Sequence, residues 1–180
     1  DHPYPGNVAL ISQSGAGMSG IVDCEQRIQF NFAVSSGYEL TVAMEDYLDY
    51  ALDLPETRVV GLFLETSRYP EKLIQAFKKA NQLNIPIVVL KVGRTDLAAE
   101  LAISHSGALA GSDQCYSALF DQYGVQRVAD MDQLATTLIM FAQPKVVSEG
   151  GLVCLHDSGG ERQLLIDLAD SADVPLAQLS

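Results

Sequence analysis

Tryptophan is absent from this 180-residue chain, and cysteine and histidine occur only three times each. Cys24, Cys115 and Cys154 are odd in number, widely spaced and free of any CxxC pair, which excludes a disulfide framework and suits a reducing, cytoplasmic setting. With three scattered histidines they form no metal-ligand pattern either, so no metal site is expected. Basic residues are scarce: 11 Lys and Arg stand against 23 Asp and Glu, a net charge of −12. That balance excludes a general nucleic-acid or anionic-membrane binder. No apolar run is long enough to cross a bilayer, no signal-peptide pattern opens the sequence, and no segment is of low complexity. Phosphate ligands stay open, because backbone amides at helix starts hold them without lysine.

The composition is otherwise that of an ordinary globular chain, 48 % hydrophobic and 19 % charged, and long enough to bury one full α/β core. Short apolar runs alternate with helix-period segments, which predicts a mainly parallel sheet covered by helices. Strands are expected at 8–11, 30–34, 59–64, 87–90 and 126–128. The intervening helices are expected at 15–27, 42–52, 70–83, 112–123 and 132–141. Pro70 suits a first helical turn, where its missing N–H costs nothing. Five such β/α units predict a flavodoxin-like three-layer sandwich whose five-stranded parallel sheet runs in the order 2-1-3-4-5, over residues 1–143. Residues 144–151, with Pro144 and two glycines, read as a linker. Residues 152–180 repeat the opening pattern: an apolar strand at 152–155, the turn Asp157-Ser158-Gly159-Gly160, and a helix at 161–169. One β/α unit cannot bury its own face, so 152–180 reads as the start of a second, truncated domain of the same kind. Together with the Asp1 start, it marks the chain as an excised piece of a larger protein.

In an open parallel sheet, ligands gather beyond the carboxyl ends of the strands, where strand order reverses. The predicted order sets three loops side by side there. The first, Ser12-Gln13-Ser14-Gly15-Ala16-Gly17, opens a helix, and is either an anion site on free N–H groups or an ordinary serine-capped turn. Ser14 is not an acyl nucleophile, since a nucleophile elbow needs G-x-S-x-G and Ser12 occupies its first glycine position. The second carries Glu65, either a capping carboxylate or an acceptor for an imidazole N–H. The third contains Ser104-His105-Ser106-Gly107-Ala108-Leu109-Ala110-Gly111. His105 among such small residues is either a solvated loop histidine or a reachable nucleophile that carries a group from one place to another. Lys91 and Arg94 are either balancing charges for phosphate or surface-loop cations with no specific role. Gly37-Tyr38-Glu39 reads as simple turn chemistry, and His156 with Asp157 is either part of a second site or simply the end of a strand.

These residues resemble the NDP-forming acyl-CoA synthetases, the superfamily that includes the succinyl-CoA synthetase α subunit and ADP-forming acetyl-CoA synthetase. The similarity rests on residues 5–15, on the run from Asp53 to Glu65, and on Lys91-Val92-Gly93-Arg94 leading into the His105 block. Asp113, Ala118, Leu119 and Gly124 follow that block and add to its specificity. The resemblance implies a ligase that interconverts acid, ATP and CoA with acyl-CoA, ADP and phosphate through an acyl phosphate and a phosphohistidine at His105. Glu65 matches the glutamate that orients the histidine. Ser14, Gly15 and Ala16, with Ser104, Ser106 and Gly107, fall where the phosphoryl group would be held. CoA, ATP or ADP, and Mg²⁺ would serve the complete enzyme, with none bound tightly by this piece, which alone would be inactive. Its partners would be a CoA-binding Rossmann domain, an ATP-grasp module and a small carboxylic acid or acyl-CoA; a homo-oligomer stays open. Where family members place Gly-Asn after the second strand, this chain has Gly37-Tyr38-Glu39. Two rival readings are weighed. One is a regulatory core fused to an acetyltransferase. The other is a flavodoxin-type electron carrier, disfavoured by a first loop without a run of hydroxyls.

Overall fold

A computed structural model describes residues 6–95, 98, 112–144 and 150–177. The chain divides into two compact units, Asp1–Gln143 and Pro144–Ser180. In the first, five parallel strands form one sheet: β1 Val8–Ser12, β2 Phe30–Ser35, β3 Val59–Leu64, β4 Ile87–Lys91 and β5 Gln126–Val128. Their order is β2-β1-β3-β4-β5, the doubly wound arrangement expected from the sequence. The register runs without shift from Val8 opposite Val59 to Ser12 opposite Phe63, and from Val60 opposite Ile87 to Leu64 opposite Lys91. β1 and β4 are buried along their whole length, whereas the edge strand β2 is mostly half-buried. Continuous apolar runs mark strands covered on both faces, which is why the sequence of β1, β3 and β4 is legible without alternation.

Helices close both faces. α2 Met44–Asp53, α3 Pro70–Leu83 and α4 Asp113–Tyr123 cover one, where Leu48, Leu73, Phe77 and Phe120 pack on Ile11, Leu62 and Val89. α1 Gly15–Val22 and α5 Met131–Phe141 cover the other, with Ile21, Leu134 and Leu138 over Leu10, Val88 and Leu90. α5 packs closely over Gly61 in β3: an added Cβ would lie 2.9 Å from Leu138 Cδ1. α3 begins with Pro70 at its first turn as expected, and ends on Asn84 in the left-handed conformation (φ 55°).

α1 stops at Val22 rather than near Arg27. Asp23 and Cys24 are poor helix formers, and the chain must turn there to bury Ile28 ahead of β2. In the second unit, α6 Gly159–Ser171 forms, capped by Ser158. The strand expected at 152–155 is reduced to one parallel bridge between Leu152 and Leu176. Among the described residues no further strand flanks the segment to extend a ladder, and Leu155 is 95 % exposed. The linker expected at 144–151 lies largely outside the described residues. No helix among the described residues is long and apolar enough to cross a membrane.

Candidate functional site

Three neighbouring strands, β1, β3 and β4, end on one rim, and their register fixes which residues meet there. Ser12 closes β1 beside Phe63 of β3, so the loop to α1 starts one step from Glu65. Ser12 is fully buried and its Oγ donates to Ser14 O at 2.6 Å, tightening the turn. Ser14 is the N-cap of α1: its side chain accepts from Gly17 N at 3.1 Å. The capping reading of this loop is therefore realised. Capping by Ser14 occupies the N–H of Gly17, while Gly15 and Ala16, the first two helical residues, are exposed and have N–H groups with no intrahelical acceptor. An added Cβ at Gly15 would find only Ser35 Oγ, 3.8 Å away, so the space over this helix start is open among the described residues.

Gln13 joins the loops. Its Nε2 donates to Glu39 Oε1 at 2.9 Å and to Thr66 O at 2.7 Å. Its Oε1 accepts from Glu65 N at 2.6 Å and Thr66 N at 3.0 Å. Glu39, 8 % exposed, also accepts from Ser36 Oγ at 2.7 Å and Met44 N at 3.1 Å, and lies 3.3 Å from Arg68 Nε. Gly37-Tyr38-Glu39 is thus more than a turn. It does reverse the chain, with Gly37 and Glu39 both at positive φ, but it delivers a buried carboxylate to the same network.

Glu65 follows the last residue of β3 and is half-buried. Among the described residues its carboxylate has no hydrogen-bond partner, while its backbone is bonded on both sides. Lys91, the final residue of β4 and only 2 % exposed, donates from Nζ to Glu65 O at 2.7 Å and to Val92 O. The same ammonium lies 4.8 Å from the centre of the Tyr116 ring. Burial lowers the Lys91 pKa to about 8; Asp113 opposes that, Arg127 adds to it, and Glu65 opposes it. Lys91 was expected in a surface loop and is instead a buried strand residue. Arg94 is exposed.

Beneath the loop after β3, Glu45 of α2 accepts from Ser67 Oγ and from Tyr69 N at 3.2 Å, and Tyr116 Oη accepts from Ser67 N at 2.8 Å. Sequence reasoning placed Gln13 on the rim without a role, and missed Glu39, Glu45 and the burial of Lys91. A charged residue ending a fully apolar strand, as Lys91 does, was the available signal. His105, Ser104, Ser106 and Gly107 lie outside the described residues. Ser14, Gly15, Ala16 and Glu65 are brought to one rim; His156 and Asp157 are exposed and belong to the second unit. No group of three metal-ligating side chains is found among the described residues.

Residues 5–141 match the family described as the succinyl-CoA ligase like flavodoxin domain. The chain is 33 % identical over 181 residues to a 4-hydroxybutyrate–CoA ligase (ADP-forming) of Nitrosopumilus maritimus, covering 99 % of this chain and 26 % of that protein. It is 32 % identical over 167 residues to an acetate–CoA ligase (ADP-forming) of Methanocaldococcus jannaschii, covering 92 % of this chain and 23 % of that one. It thus spans about a quarter of the length of these two relatives. Among solved structures it is similar to the dinucleotide-forming acetyl-coenzyme A synthetase 1 of Ca. Korarchaeum cryptofilum in complex with phosphate and ADP. That likeness has a TM-score of 0.82 and 28 % identity, covering 98 % of this chain and 39 % of the other.

Proposed function

The chain belongs to the succinyl-CoA-ligase-like flavodoxin-domain family, and from that premise we propose that it is the phosphohistidine-carrying part of an NDP-forming acyl-CoA synthetase. The observation that carries this reading is the shared rim. Gly15 and Ala16, exposed at the start of α1, and Glu65, at the end of β3, lie on loops of the same rim that Gln13 ties together. A helix start offers partial positive charge to a phosphoryl group, and a carboxylate offers an acceptor for an imidazole N–H.

In this reading a ring nitrogen of His105 attacks the phosphorus of an acyl phosphate. The bond from phosphorus to the acyl oxygen breaks, the carboxylate leaves, and the phosphoryl group then passes to ADP. The reverse sequence makes acyl phosphate from ATP and acid. Glu65 accepts the other ring N–H, fixing the tautomer and stabilising the charge that develops on the ring. Ser14, Gly15 and Ala16, with Ser104, Ser106 and Gly107, hold the phosphoryl oxygens, so the protein's work is positioning and electrostatics. CoA, nucleotide and Mg²⁺ are held by a CoA-binding Rossmann domain and an ATP-grasp module, in the same longer protein or in a partner subunit. Residues 144–151 link this unit to 152–180, the opening of a second flavodoxin-like domain. The setting is cytoplasmic.

The test is product analysis with the complete enzyme, ATP, CoA and a panel of carboxylic acids. ADP, phosphate and acyl-CoA in equal amounts are expected for at least one acid, and none with His105→Asn. AMP in place of ADP, or unchanged turnover in His105→Asn, would overturn the reading. A folded complete protein with no turnover of any acid would move the balance to a regulatory role.

A further inference from the structure

Glu65 lies one residue beyond the sheet, where the backbones of β1 and β4 no longer run alongside β3. The two peptide units that flank its Cα nevertheless have all four polar groups bonded. Leu64 O accepts from Val92 N at 3.0 Å, the last bond made by backbone alone. Glu65 N and Thr66 N both donate to Gln13 Oε1, at 2.6 and 3.0 Å, and Glu65 O accepts from Lys91 Nζ at 2.7 Å. Gln13 comes from the loop after β1 and Lys91 from the end of β4, the two strands that flank β3. Their side chains take over the ladder where the backbones leave it.

This hold is unusually complete for a loop. Thr66 O accepts from Gln13 Nε2 and Ser67 N donates to Tyr116 Oη, so the hold continues one residue further. With both flanking peptide planes fixed, the Cα–Cβ direction of Glu65 is fixed, and only its side-chain torsions remain free. Lys91 performs its share as a buried ammonium, which is costly to desolvate. A neutral chain of the same length would fill the volume at lower cost, yet would leave Glu65 O without a donor.

We propose that Gln13 and Lys91 are positioning residues for Glu65, holding its flanking peptides so that the carboxylate meets the His105 imidazole in one orientation. The inference rests on the reading in which Glu65 orients His105. Small misplacements of a catalytic group cost large factors in rate, about a hundredfold for about 1 Å.

The test is a double-mutant cycle on the single-turnover rate of His105 phosphorylation from ATP in the complete enzyme. Gln13→Met and Lys91→Met each keep a similar chain length and remove the hydrogen bonds. Each is expected to slow phosphorylation by between about tenfold and about a hundredfold, with the KM for ATP unchanged. In a Glu65→Gln background the same changes should cost less than about twofold, because residues that act through one group are not additive. Equal losses in both backgrounds would overturn the proposal, as would wild-type rates in both variants while Glu65→Gln is slow. Failure of both variants to fold cooperatively would also overturn it, making the hold part of the scaffold. If Glu65→Gln itself phosphorylates at the wild-type rate, the underlying reading of Glu65 fails instead.

Discussion

Lys91 places a positive charge where water is nearly absent, bonded to two carbonyls and facing an aromatic ring rather than a bonded carboxylate. Its pKa is lowered to about 8 from 10.5. Between those two values the unfolded chain binds a proton that the folded chain does not, so stability rises with pH across that window. Below about pH 8 the cost of the buried charge is fully present. At about 1.4 kcal/mol per pKa unit, the rise is at most about 3 kcal/mol. Urea unfolding of wild type and Lys91→Met at a series of pH values should show this rise in the wild type alone. Parallel curves would mean that Lys91 titrates normally. The side chains that carry the rim were the least legible in the sequence. Gln13 bonds partners 26 to 53 positions away, Glu45 bonds partners 22 and 24 positions away, and Glu39 joins local partners to Gln13, 26 positions away, so no local pattern announces their part in the rim. Ser14, Gly15 and Glu65 were legible because a helix start and a strand end leave local marks.

At the scale of elements, α1 is short and is capped at its first turn by a side chain. Ser14→Ala removes the acceptor for Gly17 N and should cost about 1 kcal/mol, whereas Ser14→Gly should cost only a few tenths of that. Chemical denaturation of the three proteins checks the order; equal losses would show that the cap contributes nothing. α4 ends on Gly124 at φ 65°, a conformation that disfavours a side chain. Gly124→Ala should destabilise by about 1 kcal/mol although nothing lies within 4 Å of the added Cβ, which separates backbone strain from crowding. The strands and α3 were readable because apolar runs and Pro70 set their limits. The end of α1 was not, since Asp23 and Cys24 weaken a helix without forbidding it. The isolated bridge at Leu152 shows the same limit from the other side: an apolar run becomes a strand only where a neighbour supplies the ladder.

For the whole molecule, the compact unit that ends at Gln143 holds the entire five-stranded sheet and both apolar clusters. Residues 1–143 are expected to unfold in one cooperative transition whose midpoint is unmoved by deleting 144–180. A lowered midpoint would show that the second unit stabilises the first. The sheet order was legible from the count of β/α units and the apolar runs, and it brought the loops after β1 and β3 to one rim as the sequence implied. The relay assigned to that rim turns on one residue. Its most direct test is to incubate the complete enzyme with γ-labelled ATP and Mg²⁺, with His105 intact and as His105→Asn. Label on the wild-type protein that is acid-labile, base-stable and absent from the variant is the predicted result. A folded, ATP-binding wild type that takes up no label, or a His105→Asn protein that takes it up equally, would contradict the account.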